Sequence, residues 1–178
     1  TIDMKNMKYM GEEEIQKATE NNSELSDAQE QIKVGNKILG LSEVKGPGVT
    51  ITVKDSDVEA TNLVDSSKYL VHDKDILDIV NELKNAGAEA ISINGQRIIN
   101  MSDIVDVGSN SIIFVNQQRI LAPYEIRAIG DSTKLESTLL GNGGYVEELK
   151  NYGFDIDITK GKVSIPKYSK DITHKYIQ

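Results

Sequence analysis

Hydrophobic and polar positions alternate most strictly over residues 49–53, where every second residue is valine or isoleucine. This period of two predicts a β-strand with one buried face. A period of three to four residues follows residue 73 and predicts an amphipathic helix, whose apolar residues are Ile76, Leu77, Val80 and Leu83. We expect Asp73 to cap this helix and Gly87 to end it, because glycine readily adopts the left-handed conformation found after a last helical turn.

The segment after Gly87 predicts a β-hairpin. Residues 90–93 are apolar apart from one serine and supply the first strand. Asn94-Gly95 is the strongest short-range signal for a two-residue type I′ turn. Gln96, Arg97 and Ile98 begin the return strand.

The rest of the chain predicts further strands and helices. The strands are expected over 112–115, 119–121, 125–129, 154–158 and 162–166. Asn116-Gln117 is expected to form a turn between the first two of them. Thr133 and Glu136 have the spacing of a capping box and predict the start of a helix. Residues 145–152 predict another helix, which ends at Gly153.

The order of these elements is strand, helix, strand, hairpin insertion, strand, helix, strand, which predicts an α+β protein. Two βαβ-like halves indicate a ferredoxin-like sandwich, with one largely antiparallel sheet and two helices on one face. We place this domain at residues 43–168 and a polar tail at 169–178.

Residues 1–42 are more polar and carry apolar residues spaced by sevens, which marks one face of a helix: Ala18, Leu25, Ile32 and Leu39. Only Ile15 is apolar at the offset of three before these positions, so the a/d stripe of a coiled coil is broken. We interpret the segment as a helical stalk or docking helix through which a homodimer could form. The alternative is a helix that lies on its own domain.

Composition limits the classes of function. The chain has 178 residues and a formal net charge of -8, and contact with nucleic acid requires clustered Lys and Arg. We therefore expect no nucleic-acid partner. The absence of cysteine excludes disulfides, thiolate metal sites and cysteine nucleophiles.

Two polar clusters could carry chemistry, and each has a simpler structural interpretation. Asp55, Asp57 and Glu59 resemble the start of a calcium loop, but Ala60 and Ser66 stand where that loop needs glycine and glutamate. Residues 72–75 place a histidine among carboxylates, an arrangement that helix capping also explains. We predict no catalytic residue, no metal ligand and no cofactor, and hence a protein that is not an enzyme.

Arg97, Arg119 and Arg127 are the only arginines, and each lies on or beside a predicted strand. If they converge, they would form a site for an anion or an interface, since Arg favours bidentate recognition. The alternative is three separate surface charges. We select Asn94, Gln96, Arg97 and Arg127 as a possible binding surface.

Several phrases together resemble the YlxW/YlxX-like family of Gram-positive bacteria, a domain family of unknown function. The most specific is Gly87–Arg97, with the sequence GAEAISINGQR. The others are residues 46–51, 73–83, 123–131 and 163–166. The resemblance covers about residues 43–168.

The resemblance implies a location and a kind of work, but no activity, cofactor or site residue. Members of the family typically carry one N-terminal membrane span, a helical or coiled-coil segment and this domain outside the cytoplasm. Their genes often lie near cell-division and envelope genes. We therefore expect an extracytoplasmic interaction or scaffolding domain whose partner is an envelope or division protein, with a membrane anchor upstream of Thr1. The alternative is a sensor that binds a small anionic ligand.

Overall fold

The computed structural model describes residues 23–56, 70–107, 112–172 and 176. The chain divides into two compact units, residues 1–39 and 40–178. In the first unit, helix α1 spans Ser23–Ile38. The first part of the predicted stalk and the acidic residues Asp57 and Glu59 lie outside the described residues.

The second unit is a mixed α+β structure, as predicted. Three helices are described, and eight strands form two antiparallel sheets. In chain order the elements are β1 (Val44–Lys54), α2 (Asp73–Asn85), β2 (Ala90–Ile93), β3 (Gln96–Ile98), β4 (Ile104–Val107), β5 (Ile112–Val115), β6 (Gln118–Arg119), β7 (Tyr124–Ile129), α3 (Ser132–Leu140), α4 (Tyr145–Asn151) and β8 (Asp155–Ile165).

The larger sheet has five strands in the order β3-β2-β7-β1-β8. All of its described pairings are antiparallel. One face carries the main core, where alternate residues of the strands pack with the apolar sides of the three helices. The fully buried members include Val49, Ile51 and Ile126 from the strands and Ile76, Leu83 and Leu135 from the helices.

The structure confirms the predicted turns and the predicted end of α2. Asn94 and Gly95 have φ values of 44° and 78°, and positive φ at both central residues is what a type I′ turn requires. Asn116 and Gln117, at 52° and 60°, form the second predicted turn. Gly87 follows α2 with a φ of 93°, as expected of a residue that ends a helix.

The predicted helix caps were wrong by one or two residues. The N-cap of α2 is His72, and Asp73 is the first helical residue. The Asp73 carboxylate instead accepts a hydrogen bond from the Asp106 backbone N–H at 2.9 Å. The N-cap of α3 is Asp131 rather than Thr133, because the Asp131 carboxylate accepts hydrogen bonds from the N–H groups of Thr133 and Lys134.

Two features of the sheets were not predicted. The expected strands over 154–158 and 162–166 form a single strand, β8, because all eleven of its residues pair with β1. A separate three-stranded sheet, in the order β4-β5-β6, contains the strand β4 that the sequence analysis missed.

The first half of β1 and the last half of β8 bend over the second face of the larger sheet. At Gly48 an added Cβ would overlap the carbonyl oxygen of Ala128, and at Gly46 it would lie 2.8 Å from Cγ2 of Ile129. Ile129 packs there against Val163 and Ile165 in a second core cluster. The bent part of the β1–β8 pair therefore covers a face that would otherwise be exposed.

We expect Gly48→Ala to lower the free energy of unfolding by about 1–3 kcal/mol, because the new methyl group displaces backbone rather than a flexible side chain. Gly161→Ala is the matched control: Gly161 lies directly opposite Gly48, and a Cβ there would meet no described atom within 4 Å. Urea unfolding measures both. Equal loss of stability in the two variants would contradict the bend.

Candidate functional site

Arg97 and Arg127 lie in one row across the larger sheet. Arg97 on β3 is opposite Ser92 on β2, and Ser92 is opposite Arg127 on β7. Directly paired residues share a face, so both arginines lie on the face opposite the helices. Arg119 lies on β6 in the other sheet, so two of the three arginines converge.

Arg97 is buried, with 3% of its surface exposed. Its Nη1 donates a hydrogen bond to the carbonyl oxygen of Pro166 at 3.4 Å, although β3 and β8 are opposite edges of the sheet. Burial lowers the pKa of the Arg97 guanidinium from its ordinary value. Arg97 therefore serves the packing of the bent segment and is not displayed to solvent.

Arg127 is half-buried and has two partners. Its Nε lies 2.9 Å from Oε1 of Glu125, and its Nη1 donates to the carbonyl oxygen of Ser164 at 3.5 Å. Arg97 and Arg127 thus both bind backbone carbonyls at the end of β8. We call this arrangement of the two arginines with Ser164 and Pro166 the arginine joint.

The other two predicted binding residues also make contacts within the protein. The Asn94 side chain donates to the carbonyl oxygen of Leu121 at 3.1 Å and accepts from the Glu125 N–H at 2.8 Å. Gln96 donates to Oε1 of Gln118 at 2.9 Å. The structure therefore places the four predicted residues in structural contacts on several elements and does not gather them around one open site.

The outer side of the three-stranded sheet is the exposed surface that sequence reasoning missed. Four apolar residues project from this side, and we call them the apolar sheet face: Val105, Val107, Ile112 and Phe114. They form two cross-strand pairs, in which Val105 is opposite Phe114 and Val107 is opposite Ile112. Val105 is 40% and Val107 53% exposed. Arg119 on β6 pairs with Phe114 and lies at the border of this face. The available signal was the high content of β-branched residues in Ile104-Val105-Asp106-Val107.

The inner side of the same sheet is fixed to the larger domain. Ile113 and Val115 are fully buried in the main core. Asp106 contacts the start of α2 twice, through its N–H to Asp73 and through Oδ2, which lies 3.1 Å from Nδ1 of His72. The predicted histidine cluster thus attaches the small sheet to α2.

A second polar group joins α2 to α4. The Tyr145 hydroxyl donates to Oδ1 of Asp75 at 2.7 Å, and the Tyr145 N–H donates to Oε1 of Glu82 at 2.9 Å. Burial, followed by the hydrogen bond to Asp75, raises the pKa of the Tyr145 hydroxyl. Burial also raises the pKa of the Glu82 carboxyl. These hydrogen bonds link α2 to α4 beside the apolar contacts of the main core. No cluster of three or more potential metal ligands is found among the described residues.

A cleft of about 370 Å³ lies beside the apolar sheet face. Asp55, Arg119 and Tyr124 provide its polar lining, and six apolar residues complete it: Leu70, Val71, Ile112, Ile120, Leu121 and Ala122. Burial raises the pKa of the Tyr124 hydroxyl, and the nearby charges of Asp55 and Asp106 raise it further. The volume is in the range of small-molecule pockets, and neither Arg97 nor Arg127 lines it.

Comparison with known proteins identifies relatives but no activity. Residues 21–178 match the family described as bacterial protein of unknown function (DUF881). The UPF0749 protein YlxW of Bacillus subtilis is 32% identical over 126 residues, which cover 70% of this chain and 52% of that protein. The UPF0749 protein Mb1856 of Mycobacterium bovis is 29% identical over 157 residues, which cover 86% of this chain and 50% of that protein.

A solved structure shares the fold. The crystal structure of an uncharacterized conserved protein from Mycobacterium tuberculosis has a TM-score of 0.66 and 27% identity, covering 83% of this chain and 98% of that chain. The chain spans about half the length of the two UPF0749 proteins named above. None of the described helices is both long enough and apolar enough to cross a membrane.

We expect Arg97→Ala to lower the free energy of unfolding by about 1.5–3 kcal/mol, because it removes a buried charged donor from a backbone carbonyl. The sequence analysis selected Arg97 as part of a possible binding surface, whereas the structure buries its side chain. Arg119→Ala, at an exposed position, should change stability by less than about 0.5 kcal/mol. The two unfolding midpoints in urea are the measurement, and an Arg97 variant as stable as the Arg119 variant would contradict the arginine joint.

Proposed function

The chain belongs to the DUF881 family of bacterial proteins of unknown function, and we propose that it is a non-enzymatic protein-interaction domain. The observation that carries this proposal is the apolar sheet face. Singly scattered apolar residues are normal on protein surfaces, whereas contiguous apolar patches mark interaction sites. Val105 and Val107 are neighbours on the same side of β4, and they lie opposite Phe114 and Ile112 on β5.

The chemistry of this face supports a particular kind of partner. The face is fixed from behind by buried residues and by the contacts of Asp106 with α2. A rigid surface loses little conformational freedom on binding, which favours affinity. Arg119 at its border supplies a charged donor, so we expect a partner with apolar residues and an acidic group beside them.

We propose further that this work is done outside the cytoplasm, in scaffolding of the cell envelope or of cell division. This part of the proposal rests on the family resemblance, which implies an anchor upstream of Thr1. It is compatible with the two UPF0749 relatives, in each of which the matched part covers only about half of the protein.

The ferredoxin-like assignment also belongs to the proposal. The strand order β2-β7-β1-β8, with α2 following β1 and α3 and α4 following β7, supports it. In this interpretation β3 to β6 are an insertion between β2 and β7. The apolar sheet face is then part of that insertion and not of the common fold.

A small anionic ligand is the second candidate, and the cleft beside Tyr124 is the observation that favours it. Arg119 supplies a cation there and six apolar residues could contact the body of a ligand. We favour a protein partner because Asp55, which also lines the cleft, places a negative charge in a site that would have to accept an anion.

A photo-crosslinking amino acid at Val107 tests the interaction. In the native cell we expect it to form a covalent adduct with another protein, because this side chain projects from the apolar sheet face. The matched control is Asp157, an exposed strand residue of the larger sheet, where we expect no adduct. Equal labelling of both positions, or of neither, would contradict the proposed surface.

A single cysteine tests the location. The chain has no cysteine, so Asn142→Cys, in the exposed loop before α4, introduces a unique thiol. We expect an impermeant thiol reagent to label it in intact cells. Labelling that occurs only after lysis would place the domain in the cytoplasm and remove the envelope role, while the crosslinking result would still test the interaction.

A further inference from the structure

Two charged side chains line the cleft beside the apolar sheet face, and they differ in burial. Asp55 is half-buried, and its Oδ1 accepts a hydrogen bond from the Val71 N–H at 2.8 Å. Arg119 is exposed and lies at the border of the apolar sheet face. The carboxylate is therefore held in place among the walls of the cleft, whereas the guanidinium is surrounded by solvent.

The charge inside the cleft is negative. Solvent screens an exposed charge more than a half-buried one, so Asp55 acts on an occupant more strongly than Arg119 does. Tyr124 stays neutral at physiological pH, because burial and the charges of Asp55 and Asp106 raise the pKa of its hydroxyl further above 7. Asp55 is then the one negatively charged residue among the described residues that line the cleft, which favours a cation over an anion as its occupant.

The rest of the lining fits an aliphatic chain. It consists of six apolar residues, and one of them, Leu121, is 62% exposed and thus borders the entrance. Lysine and arginine carry a charged group on an aliphatic stem of three or four methylene groups, which packs along apolar surfaces. A volume of about 370 Å³ can admit one such side chain.

We propose that the partner of the apolar sheet face inserts a lysine or arginine side chain into this cleft, with its cationic group on Asp55 and its stem on the apolar walls. The inference rests on the proposed function, because Ile112 belongs to both the apolar sheet face and the cleft, and a partner that covers one reaches the other. The acidic group expected beside Arg119 and this basic residue would then be neighbours in the partner. Such a pair of opposite charges adds specificity to the apolar contact.

Binding of pentylamine to the 178-residue chain tests the chemistry of the cleft, since this amine reproduces the end of a lysine side chain. We expect titration with pentylamine to shift the NMR signals of cleft residues such as Ile112 and Leu121. Pentanol and pentanoate have the same carbon chain without the positive charge, and we expect each to bind at least about tenfold more weakly. Equal binding of the three compounds, stronger binding of pentanoate, or no binding of pentylamine would overturn the proposal.

Two variants of the cleft assign the binding to Asp55. Asp55→Asn removes the charge but keeps an oxygen that can accept from the Val71 N–H, so the fold should be retained while pentylamine binding weakens by at least about tenfold. Asp157→Asn, at an exposed position of β8, is the matched control and should leave binding unchanged. Normal binding in a folded Asp55→Asn variant would overturn the assignment.

Leu121→Lys keeps the test decisive if Asp55→Asn does not fold. Leu121 is exposed, so the substitution should spare the fold, and the new ammonium group competes for Asp55 and should weaken pentylamine binding. Normal binding in this variant would also overturn the assignment.

The crosslink at Val107 separates this inference from the proposed function. In the native cell we expect Asp55→Asn to lower the yield of the Val107 adduct several-fold and Asp157→Asn to leave it unchanged. An adduct that forms equally well with Asp55→Asn would overturn the inserted side chain and leave the interaction at the apolar sheet face standing. A missing adduct in the unchanged chain would contradict the proposed function and the inserted side chain together, whatever the result with pentylamine.

Discussion

The overlap that a side chain at Gly48 would make with the Ala128 carbonyl shows how closely β1 approaches β7. This approach lets the paired ends of β1 and β8 turn over the sheet, where Ile129, Val163 and Ile165 form a second core. It also brings the carbonyl oxygens of Ser164 and Pro166 to the two arginines. A buried guanidinium without acceptors would be costly, so the bend and the arginine joint depend on each other.

The arginine joint decides which surfaces remain for function. The joint engages both Arg97, which is buried, and Arg127, which is half-buried and also paired with Glu125, so these two arginines serve the fold. The other face of the larger sheet is covered by helices. In the described part of the second unit, the outer side of the three-stranded sheet is a strand surface that keeps adjacent apolar residues exposed.

Local chemistry explains what the sequence could predict. The Asn94-Gly95 turn, the end of α2 at Gly87 and the period of β1 each depend on residues within one turn or strand. The arginine joint depends on contacts such as Arg97 with Pro166, which are 69 residues apart. Helix caps were misplaced because neighbouring polar residues could each serve. At α2, Asp73 instead accepts a hydrogen bond from Asp106, which lies 33 residues away. The apolar sheet face was missed because β4, with the sequence Ile-Val-Asp-Val, lacks a strict alternation of apolar and polar residues.

Four of the five phrases that carry the family resemblance meet at this joint, and the fifth, residues 73–83, lies in α2. Gly46 and Gly48 form the bend, Arg97 and Arg127 reach across the sheet, and residues 163–166 supply the acceptors and the buried valine and isoleucine. These phrases therefore describe how the domain is built. Val105, Val107 and Phe114 lie outside them, in the segment between β3 and β7. Because that segment is attached through Asp106 and the buried side of β5, its outer residues can change without altering the joint. For the proposed interaction, we therefore expect partner specificity to reside in this segment, which none of the quoted phrases includes.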